Sequence, residues 1–74
     1  MSRYAVVIEG TELTGYSAYV PDLPGCIAAA STMSEVRKLI AEAIAFHLEG
    51  MRLDGEPVPE PSSRAEYIEA ETVA

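Results

Sequence analysis

Two prolines bracket Asp22-Leu23 in the run Val20-Pro21-Asp22-Leu23-Pro24-Gly25-Cys26, and no other stretch restricts the fold of this chain as much. Each proline fixes φ at about −65° and removes a backbone donor, so neither a helix nor a central strand can pass through. Gly25 follows Leu23-Pro24 at the position where a type II turn requires positive φ, which predicts a tight reversal between two strand-like runs. The turn carries few catalytic atoms and suits a binding module better than an enzyme.

Alternation in Arg3-Tyr4-Ala5-Val6-Val7-Ile8-Glu9 and in Gly15-Tyr16-Ser17-Ala18-Tyr19-Val20 predicts two strands joined by the polar turn Gly10-Thr11-Glu12-Leu13-Thr14. Beyond the proline turn, Cys26-Ile27-Ala28-Ala29-Ala30 is long enough for a third strand and too short for a helix of its own, although its alanines suit either. Thr32 followed by Glu35 is a capping-box signature, and it opens a helix. From Met33, the residues Val36, Leu39, Ile40, Ala43, Ile44, His47, Leu48 and Met51 recur at three- and four-residue intervals, with Glu35, Lys38, Glu42 and Glu49 on the other side. Gly55 supplies a left-handed cap, and the prolines after it forbid continuation.

Gly55-Glu56-Pro57-Val58-Pro59-Glu60-Pro61 favours a stiff, polyproline-like return path. Arg64 to Val73 is expected to form a fourth strand, with helix as the competitor because Ala and Glu are frequent there. The predicted order is β-β-β-α-β, an α+β layer structure with the helix on one face of a mostly antiparallel sheet. The other face is then partly bare, and Tyr4, Tyr16, Tyr19 and Tyr67 are candidates to cover it or to form a self-association surface.

With 74 residues the chain holds one domain, and no internal repeat is visible. A domain this small buries about 60% of its unfolded surface, and its expected stability is about 4 to 11 kcal/mol. Burying the bare sheet face in a homo-oligomer, a dimer or larger, would add to that. Twelve acidic residues against five basic ones give a net charge of −7, which opposes phosphate binding and argues against direct nucleic-acid contact. The same field attracts a basic protein; equally, it keeps a small protein soluble. Cys26 is the lone cysteine, the apolar run Tyr4 to Ile8 is too short for a signal-peptide core, and no stretch approaches 18 apolar residues. A cytoplasmic protein without membrane association is expected.

Little in the chain points to catalysis. His47 is the lone histidine and falls on the apolar stripe near the helix C-terminus, where packing explains it as well as chemistry does. One His and one Cys without paired-ligand spacing do not specify a zinc site. Glu9, Glu42 and Glu69 are the best carboxylates for a two-metal nuclease, yet each reads more simply as a solvated surface residue. With no phosphate loop or nucleophile elbow, neither enzyme activity nor a cofactor or metal is expected.

Taken in order, Tyr4 to Glu9, Gly15 to Cys26, Thr32-Met33-Ser34-Glu35 and Gly55 to Pro61 resemble the HicB-like antitoxin family. The most specific parts are the Pro-Asp-Leu-Pro-Gly-Cys turn and the Gly-Glu-Pro-Val-Pro-x-Pro segment. The resemblance implies a truncated ribonuclease-H-like fold without that enzyme's catalytic carboxylates. It further implies the antitoxin of a type II toxin–antitoxin pair, whose partner is a small, basic, HicA-like toxin that cleaves messenger RNA. The chain has Ala30-Ser31 where many members have Gly-Asp. Members often carry a C-terminal ribbon-helix-helix or helix-turn-helix domain, and residues 1–74 are expected to be a HicB-like domain alone.

Two functions stand side by side: a toxin-neutralising binding protein, and a stand-alone homo-oligomeric module with a regulatory or ligand-binding role. For either, Asp22, Leu23 and Pro24 are the candidates for a presented contact loop, the alternative being a purely structural turn. Glu56, Glu60, Glu66, Glu69 and Glu71 are the candidates for an acidic rim facing a basic partner.

Overall fold

The computed structural model describes residues 2–71. Three strands, β1 (Val7–Thr11), β2 (Gly15–Tyr19) and β3 (Ile27–Ala30), precede one helix, α1 (Met33–Leu53). The sheet has the order β1-β2-β3 and both pairings are antiparallel. This is the expected α+β layer arrangement, with two differences in the strands.

The first difference is the position of β1. Its ladder runs from Val7, opposite Tyr19, to Thr11, opposite Gly15. Residues 3–6 have no strand neighbour, because β2 is followed at once by the Pro21 reversal, and the ladder instead continues into what read as the turn. The reversal narrows to Glu12-Leu13-Thr14, held by reciprocal bonds between the backbone amides and hydroxyls of Thr11 and Thr14. At Gly10, φ is +125° and any Cβ would collide with the Gly15 carbonyl oxygen, so this hairpin requires glycine there.

The second difference concerns the expected fourth strand, Arg64 to Val73. Residues 64–71 form no strand, and all of them are exposed; Thr72 and Val73 lie outside the described residues. A strand is defined by its neighbours, and this segment has none within its own chain.

The proline run folds as two consecutive turns. Leu23 N–H donates to the Val20 carbonyl at 3.0 Å, Cys26 N–H donates to the Leu23 carbonyl at 3.0 Å, and Val20 N–H closes the loop on the Cys26 carbonyl at 3.2 Å. A proline occupies the second position of each turn, and Gly25 has φ +86°, as the type II geometry demands. The loop drives Leu23 inward, leaving it 1% exposed. It joins Ala18, Val20, Cys26, Val36 and Ile40 in the core. Cys26 is buried.

Both helix ends follow the sequence signals. The Thr32 hydroxyl accepts from Glu35 N–H at 3.1 Å; of the expected box, only this half is formed among the described residues. At the other end, Gly55 N–H donates to the Arg52 carbonyl and Glu56 N–H to the Met51 carbonyl, the paired bonds of a Schellman motif. The 21 residues between the caps make about six turns.

The helix packs over β3 and β2 and stands off from β1. Register and alternation place Val6, Ile8, Tyr16, Ala18, Ala28 and Ala30 on the helix side of the sheet. Tyr4 and Tyr16 pack against the core from that side, so they do not cover the bare face. The opposite face carries Val7, Tyr19 and Ile27 in one row across the three strands, and Tyr19 and Ile27 are exposed.

Candidate functional site

The turn and the return connection meet at Asp22. Its carboxylate accepts from the backbone amides of Ser62 and Ser63 at 2.8 and 2.9 Å, and from their hydroxyls at 3.1 and 2.6 Å. These bonds, the Ser63 hydroxyl foremost, stabilise the charged form and lower the carboxyl pKa to about 2. The Tyr4 hydroxyl donates to the Pro59 carbonyl at 2.6 Å and fixes the same connection further back. Residues 56–63 therefore form a strap from the helix end, past the start of β1, to the β2–β3 turn.

Of the expected contact loop, Leu23 faces the core and Asp22 holds the strap, which leaves Pro24 exposed at the tip. Glu56, Glu60, Glu66, Glu69 and Glu71 are all exposed, the first two on the strap and the others on the segment after it. Glu9 lies on the sheet face away from the helix, whereas Glu42 lies on the helix exterior, so the layers of the fold separate two of the three carboxylates considered for metal chemistry. His47 is half-buried toward the helix C-terminus. Burial pushes the Cys26 thiol pKa up and suppresses its nucleophilic thiolate.

Besides the Val7-Tyr19-Ile27 row, two apolar surfaces are open. One is a ridge on α1: Leu39, Phe46 and Leu53 are 40%, 81% and 71% exposed and recur every seven residues, which aligns them along one side of the helix. Glu35, Glu42 and Glu49 each stand four residues before one of them, one helical turn away. Arg52 pairs with Glu49, and no other ion pair forms among the described residues. The sequence reading placed Leu39 on the packed stripe and passed over Phe46. The sevenfold spacing of Leu39, Phe46 and Leu53, in step with the three glutamates, was the available signal.

The other surface is a groove of about 280 Å³ between β1 and the helix, lined by Val6, Ile8, Arg37, Ile40, Ala41 and Ile44. It exists because α1 sits over β3 and β2, leaving the inward side chains of β1 without a cover.

Residues 4–74 match the family described as the HicB_like antitoxin of bacterial toxin-antitoxin system. The chain belongs to the HicB-like antitoxin family. Among its relatives, an uncharacterized 14.9 kDa protein in the rep-hol intergenic region of Haemophilus phage HP1 is 43% identical over 65 residues, which cover 88% of this chain and 48% of that protein. The chain thus spans about half the length of this phage relative. A UPF0150 protein of Synechocystis sp. is 35% identical over 57 residues, covering 77% of this chain and 72% of the relative. A UPF0150 protein of Archaeoglobus fulgidus is 40% identical over 47 residues, covering 64% and 68%. The family is described by its place in bacterial toxin–antitoxin systems. No helix among the described residues is long and apolar enough to cross a membrane.

Proposed function

We propose that this protein is a non-catalytic cytoplasmic antitoxin that binds and neutralises a small, basic, HicA-like toxin that cleaves messenger RNA. The observation that carries this reading is the ridge on α1, an exposed apolar line bordered by three glutamates on a chain of net charge −7. An apolar centre with a charged border is how a protein interface is built, and the sign of the border selects a basic partner. The five exposed glutamates from Glu56 to Glu71 add to the negative field that attracts such a partner. The sheet and helix then serve as a truncated ribonuclease-H-like scaffold that presents this surface and performs no hydrolysis.

Mixing the protein with an adjacently encoded HicA-like toxin, while following binding and RNA cleavage together, tests the proposal. Cleavage should fall as the antitoxin saturates, and association should slow as salt rises, because attraction between exposed charges is screened over about 8 Å at physiological ionic strength. Phe46→Ala should weaken binding at least about tenfold while leaving the fold intact, since this side chain is 81% exposed. Unchanged cleavage at saturating antitoxin would reject the reading, as would tight binding of this chain to operator DNA. The second reading, a stand-alone homo-oligomeric module with a regulatory or ligand-binding role, is favoured by the open groove beside β1.

A further inference from the structure

Residues 64–71, after the strap, are all exposed and belong to no strand or helix. Tyr67 is 106% exposed and Ile68 is 86% exposed, two large side chains in adjacent positions with no cover from their own chain. Their cost shows in the dimensions: the radius of gyration is 14.7 Å, against about 11 Å for a compact domain of this length. On the body of the molecule, β1 is a sheet edge, with the groove on one of its faces and the Val7-Tyr19-Ile27 row on the other.

We propose that the β1 edge is the docking site for residues 64–71 of a second copy of this chain, the two copies exchanging these segments in a closed, two-fold dimer. Successive side chains of a strand point to opposite faces, so one strand added beside β1 covers both apolar surfaces at once. Ile68 enters the groove among Val6, Ile8, Ile40 and Ile44, and Tyr67 lengthens the row of Val7, Tyr19 and Ile27. Glu66, two positions before Ile68, lies on the groove side, where Arg37 provides the opposite charge. Eight residues of strand span about 26 Å, comparable with the stretch from Arg3 to Thr11 that lines the edge.

A second copy fits better than the chain's own tail because of the strap. Having passed Tyr4 at Pro59, the chain crosses to the β2–β3 turn and is held there by Asp22. Arg64 therefore starts at the β2–β3 turn, fixed by the four hydrogen bonds that Asp22 accepts from Ser62 and Ser63, and on this course residues 64–71 form no strand with their own chain. Exchange between copies keeps them, and two-fold symmetry closes both edges without leaving a free end to polymerise.

The test needs no toxin and uses the full chain alone. Sedimentation at tens of micromolar should give twice the 7.9 kDa chain mass. Ile68→Asp, at a side chain 86% exposed within its own chain, should shift the protein to monomer with an unchanged circular dichroism spectrum. Ala41→Glu, on the exposed helix flank of the groove, should do the same from the other side. Mixing Cys26→Ser chains that carry either Ile68→Cys or Ala41→Cys should, on oxidation, give mixed covalent dimers. A monomeric parent protein would overturn the proposal, as would dimers that survive both the Asp and Glu substitutions, or intrachain cross-linking in a chain carrying both cysteines.

Discussion

The body of this protein and its strap are held by different kinds of contact. In the body, the turn at residues 20–26 closes on itself through three backbone hydrogen bonds, and the helix is capped by its own neighbours at both ends. The strap, residues 56–63, is fixed by side chains from far away in sequence: Tyr4 at Pro59, and Asp22 at Ser62 and Ser63. The body thus specifies its own conformation locally, whereas the strap takes its path from the surface beneath it. Perturbing the first should cost global stability, and perturbing the second should release one segment.

The largest effect is expected from Leu23→Ala. This side chain is 1% exposed and anchors the turn in the core, so its loss should cost about 3 kcal/mol, a large part of the total, as measured by urea denaturation. A cost below about 1 kcal/mol would mean that the turn is peripheral. Gly25→Ala should cost about 1 kcal/mol through backbone strain alone, since φ is +86° and nothing lies within 4 Å of an added Cβ. An unchanged melting temperature would contradict the type II geometry.

Tyr4→Phe removes the bond to Pro59 and little else, and should cost about 0.5 to 1 kcal/mol, with faster amide exchange in the strap than in the helix. The smallest global change belongs to Asp22. Its carboxyl is held down to about 2, below the ordinary 3.8, so its contribution is complete above about pH 4 and is lost as pH falls through about 2. Proteolysis resistance or amide exchange at residues 56–63 should follow that window, and Asp22→Ala should abolish the dependence. If the whole body unfolded in the same window at the same rate, the distinction between body and strap would fail.

What could be read in the sequence divides along the same line. The double-proline turn, the Thr32 cap and the Gly55 stop were legible because each is decided by residues within a few positions of one another. The lateral placement of α1 was not, since the pattern of Val36, Ile40 and Ala43 says which side is apolar but not which strands lie beneath it. For the same reason Tyr4 and Tyr16 were candidates for the bare face and instead pack under the helix. Asp22 was legible as a polar turn residue, yet nothing local announced two serines forty residues on. The fourth strand shows the limit most plainly. Arg64 to Glu71 has a composition a strand tolerates, but a strand forms only where a neighbour supplies the other half of its hydrogen bonds.

The strap also bears on the order in which the chain comes together. The hairpin, the proline turn and the helix each close loops of a few residues, whereas the Tyr4–Pro59 and Asp22–Ser62 contacts close separations of 55 and 40 residues with few bonds as return. Closing a long loop early, before anything else holds its ends together, is entropically unfavourable. Folding therefore begins in the turn, hairpin and helix, and the return connection docks late, onto a body already built without it.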